Sequence, residues 1–482
     1  MPTEIELKLQ LTPDAVTFLE ASPLLEGPAA KADQRAIYFD TADHALRRDG
    51  ISLRIRRVGR KRVQTVKASN AAGAGLFDRD EWEFPVKNDT PILDDATPVA
   101  ALLGDKISAI APAFDVRIQR QTWMIAQGNA RIELVIDRGV AKIGERETAI
   151  CEAELELKSG EPQALFDLAH RIDAIVPVRL GLLSKSERGY RLLEPASRSY
   201  KAEPVAISPG MTAQQAFQSI AHNCLRHYRL NEGLLLASRE AEALHQARVA
   251  IRRLRSAFTL FKEIHSASQA THFRTELKWL ASTLGEARDL DVLAKSDFAD
   301  SLRKRIEAAR SRAYEEVEAV LAGERVRTLF LDLAEWLALG DWLTHSANGA
   351  MGVEDFATRA LSRLRRRVAK RGRHIDRLED KPRHEVRKDA KKLRYTAEFM
   401  AALFTHDKQR RRQHKFLSAL ETLQDRLGAL NDLATMPDLL DTLGVSQRAD
   451  APALPRQDKK PKLLVKAARA HDDFITAKKF WT

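Results

Sequence analysis

Cysteine is scarce in this chain: Cys151 and Cys224 are the two cysteines among 482 residues, and they lie far apart in the sequence. This spacing argues against a disulfide framework and against a cysteine-rich zinc site. A chain of this length can bury more than one core without such cross-links, and a prior of about 150 residues per domain indicates roughly three domains or large subdomains. Scarce cysteine also suits a reducing compartment, so we expect a cytoplasmic protein.

Long apolar runs are also missing. No stretch approaches the roughly 18 uninterrupted apolar residues of a membrane helix, and no apolar segment follows a basic start between Met1 and Lys8. We therefore expect no membrane association and no secretory signal. A G-x₄-G-K-[ST] loop is absent as well, which removes one rival type of phosphate site. The composition, 44% hydrophobic and 30% charged, excludes a mainly disordered chain.

Positive charge is concentrated in the second part of the chain. Overall, 79 Lys and Arg face 67 Asp and Glu, a formal net charge of +12. Residues 1–200 hold 28 basic and 30 acidic residues, so the remainder carries +14 and also 11 of the 13 histidines. This asymmetry predicts a polyanionic partner for the C-terminal part, and nucleic acid, an acidic membrane surface and polyphosphate all satisfy it.

The hydrophobic pattern changes at the same place. Before about residue 195, polar and apolar residues alternate, which predicts strands with one polar and one apolar face; after about residue 211 the apolar period is that of long helices. We therefore predict a multidomain α+β protein, with an N-terminal domain at 1–197, a Pro- and Gly-containing linker at 198–210 and an all-α domain at 211–482.

Charged residues recur on the polar faces of the predicted strands. Glu4, Glu6 and Lys8 share one face, Arg54 pairs with Arg56 on another strand, and Glu152, Glu154 and Glu156 share a third. Any one such face is typical of a solvent-exposed surface. Recurrence with both signs favours faces that turn inward and form a charged lumen, where carboxylates bind a hard cation and basic side chains bind phosphate.

These residues resemble the CYTH family, also called triphosphate tunnel metalloenzymes. The ExExK signature Glu4-x-Glu6-x-Lys8 is followed in family order by Tyr38-Phe39-Asp40-Thr41, the Arg54/Arg56 pair, Glu154-Leu-Glu156-Leu and Lys185-Ser186 with Arg188-Gly189-Tyr190. The resemblance covers roughly residues 1–195. It implies an eight-stranded antiparallel β-barrel whose tunnel binds a triphosphate and hydrolyses it with Mg²⁺ or Mn²⁺.

The resemblance also implies roles for individual residues. The triphosphate-binding set is Lys8, Arg54, Arg56, Lys67, Arg117 and Lys185, of which Lys8, Arg56 and Lys185 are the catalytic candidates. The metal ligands would be Glu4, Glu6, Glu154 and Glu156. Further candidates are Arg79, Glu81, Glu83, Glu133, Asp137 and Glu152.

An internal repeat organises the helical part. The motif His245-x-x-Arg248-x₃-Arg252-Arg253-Leu254-Arg255 recurs 139 residues later, beginning at His384, and Leu284-Gly285-x-x-Arg288-Asp289 recurs 143 residues later, beginning at Leu427. On a helix, four residues of each motif lie within roughly 80° of arc, opposite an apolar stripe: His245, Arg248, Arg252 and Arg255 in the first, and His384, Arg387, Lys391 and Arg394 in the second. Because acidic partners at i+4 are scarce on this basic face, an anion-binding face is favoured over a solvated one.

This part resembles the CHAD family, helical domains that accompany CYTH domains. The resemblance implies two pseudo-symmetric four-helix units, at about 211–345 and 350–482, and binding of inorganic polyphosphate. The implied polyphosphate-binding residues are His245, Arg248, Arg252, Arg253, Arg255, His384, Arg387, Lys388, Lys391, Lys392 and Arg394.

Three hypotheses follow for function. The first is an inorganic triphosphatase with a polyphosphate-binding helical domain, cytoplasmic and associated with polyphosphate granules. The second keeps the tunnel but uses an organic triphosphate, as a thiamine triphosphatase or adenylate cyclase does. The third is a non-catalytic polyphosphate-binding scaffold, which would have little use for the acidic residues. The basic helices show no base-reading or aromatic stacking signature, which argues against nucleic acid as the partner. The oligomeric state is left open.

Overall fold

The computed structural model describes residues 4–69, 76–265, 267–295, 300–344, 349–442 and 460–482. The chain forms two compact units. The N-terminal unit comprises Met1–Arg198 together with Ala322–Gly340, and the helical unit comprises Ser199–Leu321 together with Asp341–Thr482. The N-terminal unit is therefore built from two segments that are far apart in sequence.

One antiparallel sheet forms the centre of the N-terminal unit. Its strands are β1 (Glu4–Gln10), β2 (Ala30–Asp40), β3 (Ile51–Val58), β4 (Lys61–Ser69), β5 (Leu76–Pro85), β6 (Ala111–Gln127), β7 (Ala130–Ile143), β8 (Arg146–Ser159) and β9 (Arg179–Leu180). They are arranged in the order β5-β4-β3-β2-β6-β7-β8-β1-β9. The expectation of an antiparallel N-terminal sheet is confirmed, and the described residues form nine strands rather than the expected eight.

The ninth strand follows from how β1 is paired. On one edge, Glu6 to Gln10 of β1 pair with β8. On the other edge, Glu4 to Leu7 pair with β5, and the two residues of β9 then pair with Leu9 and Gln10. Strand β5 stands first in the strand order and β1 stands eighth, next to the last strand, β9. The β1–β5 pairing therefore joins the two ends of the order.

The inward-facing residues change character along the strands. Ala36, Tyr38, Phe114 and Ile150 belong to a buried apolar cluster with Tyr190. Charged residues occupy the same face farther along, since Glu152 and Glu154 share the face of Ile150. A second apolar cluster, around Leu46, Leu53 and Val99, covers the opposite face of β3 and β4.

Five helices of the N-terminal unit precede residue 198: α1 (Pro13–Glu20), α2 (Ala45–Arg48), α3 (Pro98–Leu103), α4 (Gln163–Ile175) and α5 (Lys185–Leu193). Helix α5 closes over the apolar cluster. Its Gly189 packs so tightly against Phe114 that a Cβ atom there would lie 2.0 Å from a ring carbon. The hydroxyl of Tyr190 donates a hydrogen bond of 2.6 Å to buried Asp40.

Nine α-helices follow residue 210 in the described part of the chain, whereas two four-helix units predict eight. They are α6 (Ala213–Ser238), α7 (Ala241–Leu260), α8 (Ala267–Leu293), α9 (Asp300–Ala322), α10 (Glu324–Leu339), α11 (Val353–Arg371), α12 (Asp380–Phe399), α13 (Asp407–Thr442) and α14 (Lys460–Thr476). The additional helix is α10, which packs against α4 and β9 of the N-terminal unit. There Arg327 binds the carboxylate of Asp173 at 2.7 Å.

The other eight helices repeat in order. Helices α7 and α12 carry the two basic motifs, and α8 and α13 carry the two Leu-Gly motifs. The starts of α6 and α11 pair reciprocally: the Ala213 amide donates to Met351 O at 2.8 Å and the Val353 amide donates to Met211 O at 2.9 Å. Two equivalent segments that exchange hydrogen bonds in this way are related by a local twofold arrangement. None of the helices, searched over the described residues, combines the length and apolar character of a membrane-spanning segment.

Candidate functional site

The charged face of the sheet encloses a cavity of about 730 Å³ in the N-terminal unit. Its basic lining residues are Lys8, Arg54, Arg56, Lys67, Arg120, Lys158 and Lys185. Its acidic lining residues are Glu6, Glu81, Glu83, Glu133, Glu154 and Glu156. The remaining lining residues are Tyr38, Ser52, Val135, Leu157, Ser184 and Ser186. A cavity lined almost entirely by both signs of charge suits a polyanion bound together with a cation.

Neighbouring strands β3 and β4 supply arginine and lysine to one side of the cavity. Burial, and then the neighbouring Arg54, lower the pKa of Arg56 although Glu83 lies 3.0 Å away. The buried Nε of Arg54 has no hydrogen-bond partner among the described residues. Lys67 is 3.2 Å from Glu81. Clustered arginine and lysine side chains of this kind are stabilised further when phosphate oxygens bind.

Three glutamates form a row across three adjacent strands on the other side. Glu156 of β8 is registered opposite Glu6 of β1 and opposite Glu133 of β7. Side chains in direct cross-strand register have Cβ atoms about 4.5–5.5 Å apart, so one cation can reach carboxylates from neighbouring strands. Oxygen donors of this type fit Mg²⁺ or Mn²⁺. Glu4 begins β1, but its side chain lies outside the described part, as does that of Arg79.

Farther along the same face, Lys185 joins three carboxylates. Its Nζ lies 2.7 Å from Asp137, 2.7 Å from Glu152 and 2.8 Å from Glu154. Among the described residues, Asp137, Glu152 and Glu154 also form a carboxylate cluster whose ligand atoms are close enough to hold a metal, and Glu154 is its member that lines the cavity. In the structure an ammonium group occupies that position.

Glu154 is the most highly coordinated of these acids. Arg120 approaches it at 3.0 Å, Lys185 at 2.8 Å, and Lys8 also forms an ion pair with it. Burial by itself would raise the pKa of Glu154, but Lys185, Lys8 and Arg120 outweigh that effect and hold the pKa well below its ordinary value. Burial would lower the pKa of Lys185, and its carboxylate partners instead raise it well above the ordinary value. All these groups are therefore charged at neutral pH.

Of the six predicted triphosphate-binding residues, all of them described, Arg117 is the one that does not line the cavity. It is exposed and lies three positions before Arg120 on the continuous strand β6, so the two side chains point to opposite faces. Arg120 takes the expected position and binds Asp137 through two hydrogen bonds, of 2.8 and 2.6 Å. Glu6, Lys8, Arg54, Arg56, Lys67, Glu154, Glu156 and Lys185 all line the cavity.

Lys185 reaches the cavity from the start of a helix and not from a strand. Ser184 caps α5 by accepting a hydrogen bond from the Glu187 amide at 3.2 Å, and Glu187 accepts one from the Ser184 amide at 2.9 Å. This capping box fixes the first turn of α5, so the Lys185 side chain emerges at a defined position. The Ser-x-x-Glu spacing was readable in the sequence and indicates a helix start here.

A second charged site lies in the helical unit, where α7 faces α12. We call it the cationic cluster: Arg248 and Arg252 of α7 with Arg387, Lys391 and Arg394 of α12. Burial and mutual repulsion lower the pKa of Arg252 and that of Arg387. The buried Nε atoms of these two arginines have no hydrogen-bond partner in the described structure. The cluster brings together five of the eleven residues predicted to bind polyphosphate.

The other predicted residues lie around the cluster or apart from it. Arg253 is buried, 2.6 Å from Glu398 and stacked over Phe399, so it joins α7 to α12 within the core. Lys388 is 2.5 Å from Glu385, and Lys392 is 3.9 Å from Asp389. Arg255, near Arg274, and His245, near Arg288, are partly accessible. His384 is exposed, and its Nδ1 is 2.7 Å from Asn431.

The second repeated motif supports the cluster. Arg248 contacts the Gly285 carbonyl at 3.4 Å and Asp289 at 3.2 Å. At the equivalent place, Arg387 lies against Gly428 and is attracted by Asp432. A Cβ atom on Gly285 would lie 3.2 Å from the Arg248 guanidinium, so glycine leaves room for it beside the helix backbone. The Gly and Asp of each repeat thus position one arginine.

Family models match both parts of the chain. A model described as CYTH domain matches residues 2–190, and one described as CHAD domain matches residues 219–441, which confirms the predicted resemblance.

Individual relatives match over different lengths. The inorganic triphosphatase of Haemophilus influenzae is 30% identical over 203 residues, 40% of this chain, and the match spans 55% of that relative's length. An uncharacterized protein of Mycobacterium tuberculosis is 28% identical over 455 residues, 82% of each chain. The crystal structure of the CHAD domain from the plant Ricinus communis is 27% identical, with a TM-score of 0.49, over 58% of this chain and 97% of that one.

Proposed function

Because this chain carries a CYTH domain followed by a CHAD domain, we propose that it hydrolyses inorganic triphosphate in the N-terminal cavity and binds polyphosphate through its helical unit. The observation that carries the proposal is the composition of the cavity: seven basic side chains and a row of three glutamates line one space. The name of the Haemophilus influenzae relative supports the reaction.

In this proposal the basic residues hold the substrate. Arg54, Arg56 and Lys67 bind phosphate oxygens from one side, and Lys8, Arg120 and Lys185 bind them from the other. Glu154 and Asp137 keep the second group charged and oriented. The preorganised cations then stabilise the negative charge that develops on the transferred phosphoryl group. We propose that the β1–β5 pairing closes the sheet into the tunnel that the family resemblance implies.

The glutamate row would hold the divalent cation. Glu6 and Glu156 belong to the metal ligands expected from the sequence, and Glu133 joins them because it lies opposite Glu156 on β7. Glu154 is not included in this set, because it forms ion pairs with Lys8, Arg120 and Lys185. When bound, Mg²⁺ or Mn²⁺ supplies charge neutralisation and lowers the pKa of water. Hydrolysis adds one water: its oxygen bonds to the terminal phosphorus, the bridging P–O bond breaks, and orthophosphate and pyrophosphate leave. No protein nucleophile is required.

The test is phosphate release from tripolyphosphate with Mg²⁺ or Mn²⁺. The variant Glu6→Gln/Glu156→Gln should lose about 100-fold or more of the turnover, because both changes remove charged metal ligands. Glu145→Gln, on an exposed turn, is the matched control and should retain wild-type turnover. Full activity in the folded double variant would overturn the metal assignment.

The same assay separates the alternatives. Faster turnover of thiamine triphosphate or ATP, or formation of cyclic AMP, would assign the cavity to an organic triphosphate. Absence of hydrolysis of every one of these substrates by the folded wild type, with both metals, would leave the polyphosphate-binding scaffold.

A further inference from the structure

Lys391 occupies an unusual position within the cationic cluster. Its side chain is partly buried and forms no hydrogen bond or ion pair with any residue in the described ranges. Arg248 and Arg252 approach it from α7, and Arg387 and Arg394 approach it from its own helix. A buried ammonium among four guanidinium groups is costly to keep charged.

The acidic groups near the cluster are engaged by its arginines. Asp289 of α8 lies 3.2 Å from Arg248, and Asp432 of α13 attracts Arg387. Glu398 of α12 and Glu421 of α13 each lie 3.5 Å from Arg394. The other titratable groups at the cluster and its rim are His245, Arg288, Lys388, His384 and Tyr395. Within the part of the chain that the structure describes, none of these acids forms an ion pair with Lys391.

Burial, followed by repulsion from the four arginines, lowers the pKa of Lys391 to about 7. An arginine in the same surroundings stays charged because its ordinary pKa is far higher. The internal repeat offers the direct comparison, since Arg252 occupies in α7 the position that Lys391 occupies in α12.

We propose that the helical unit takes up a proton at Lys391 when it binds polyphosphate, so that its affinity for polyphosphate decreases as the pH rises. The inference rests on the proposed polyphosphate binding. A polyanion supplies the negative charge that Lys391 lacks in the free protein, and this charge favours the ammonium form.

The direction follows from linkage. The bound state keeps Lys391 protonated to a higher pH than the free state does. Below the free-state pKa both states are protonated, and the affinity does not depend on this group. Between the two pKa values, binding must take up a proton, and the affinity falls with rising pH by up to about tenfold per pH unit.

The experiment measures the affinity of the full chain for long-chain polyphosphate at pH 7.0 and pH 8.5, at constant ionic strength. Burial, and then the neighbouring Arg288, lower the pKa of His245 below its ordinary value, so both pH values lie above it in the free protein. The wild type should bind about tenfold more weakly at pH 8.5. Calorimetry at pH 7.5 in buffers of different ionisation enthalpy should show net proton uptake on binding.

Two variants assign the proton. Lys391→Arg should bind at both pH values with little difference and without proton uptake, because arginine is already charged. Lys391→Met, which retains the apolar stem, should also lose the pH dependence but bind more weakly at pH 7.0. The exposed Lys304→Arg is the matched control and should behave as the wild type.

The outcomes separate this inference from the function on which it rests. If the wild type binds equally well at both pH values without proton uptake, the inference is overturned and polyphosphate binding stands. If Lys391→Arg shows the wild-type loss, the proton belongs to another group and the assignment to Lys391 is overturned. If the wild type binds no polyphosphate at either pH, both proposals fail.

Discussion

Buried charge in the N-terminal cavity is arranged in mutually supporting pairs. Asp137 and Glu152 are almost fully buried, and each forms an ion pair with the ammonium group of Lys185. Taking isolated charges out of water is costly, and removing one partner of a buried pair typically costs about 3–5 kcal/mol. The same pairing keeps Lys185 and Arg120 oriented toward the cavity before any ligand binds, which reduces the reorganisation needed during catalysis.

Arg120 and Arg117 provide a test on one strand. Arg120→Met should lower kcat for tripolyphosphate by about 10²–10³-fold, because it removes a preorganised donor to the transferred phosphoryl group. Arg117→Met removes the same side chain from the opposite face and should leave kcat unchanged. Phosphate-release kinetics on both folded variants make the comparison. Equal losses, or a loss confined to Arg117→Met, would contradict the placement of Arg120 in the cavity.

Single glycines determine how closely some helices approach their neighbours. Helix α5 carries Lys185 at its start and Gly189 one turn later, against the ring of Phe114. The position of Lys185 in the cavity thus depends on an apolar contact in the middle of the same short helix. In α8, Gly285 similarly leaves room for the Arg248 guanidinium.

Gly189→Ala should therefore disturb both stability and catalysis. The new Cβ atom would overlap the Phe114 ring, and overpacking of this kind costs about 1–3 kcal/mol. Displacement of α5 should also raise KM by moving Lys185. Gly233→Ala in α6 is the control: its Cβ atom meets nothing within 4 Å, so helix propensity should stabilise it by up to about 1 kcal/mol.

Urea unfolding and phosphate release measure these two effects. A Gly189→Ala variant as stable and as active as the wild type would show that α5 can shift without moving Lys185.

At the scale of the whole molecule, each site is built from residues of one unit. Every residue that lines the cavity precedes residue 187, and the cationic cluster belongs to α7 and α12. Helix α10 belongs to the N-terminal unit although it comes later in the chain than four helices of the helical unit. It packs on α4. Its Arg327 pairs with Asp173, and Glu335 and Asp332 lie 3.2 and 3.3 Å from His170.

Because the sites share no residue, we expect their activities to be separable. Arg248→Met/Arg387→Met should weaken polyphosphate binding by about 100-fold, since two charge-assisted hydrogen-bond donors are lost, and should leave tripolyphosphate turnover unchanged. Glu6→Gln/Glu156→Gln should show the reverse pattern. Binding and turnover measured on both folded variants decide the matter. Loss of turnover in the helical variant would show that the units are coupled.

Local patterns in the sequence predict the strand faces of the cavity residues and the two basic helices. Alternation placed Glu6, Lys8, Arg54, Arg56, Glu154 and Glu156 on polar strand faces, because side chains two residues apart on a strand must share a face. Helical periodicity and the internal repeat identified α7 and α12 as basic helices. These features depend on neighbours within a few residues, and such neighbours are visible in the chain itself.

Only the tertiary structure shows which of several similar charged residues form ion pairs with one another. Arg117 and Arg120 are both strand arginines, and only the pairing of β6 with β7 shows which of them faces Asp137. Arg253 lies within a basic motif yet is buried against Glu398, a partner 145 residues away. The transfer of α10 to the N-terminal unit likewise depends on contacts with α4. Such pairings join residues remote in sequence, and their energies depend on burial and distance, which only the folded chain determines.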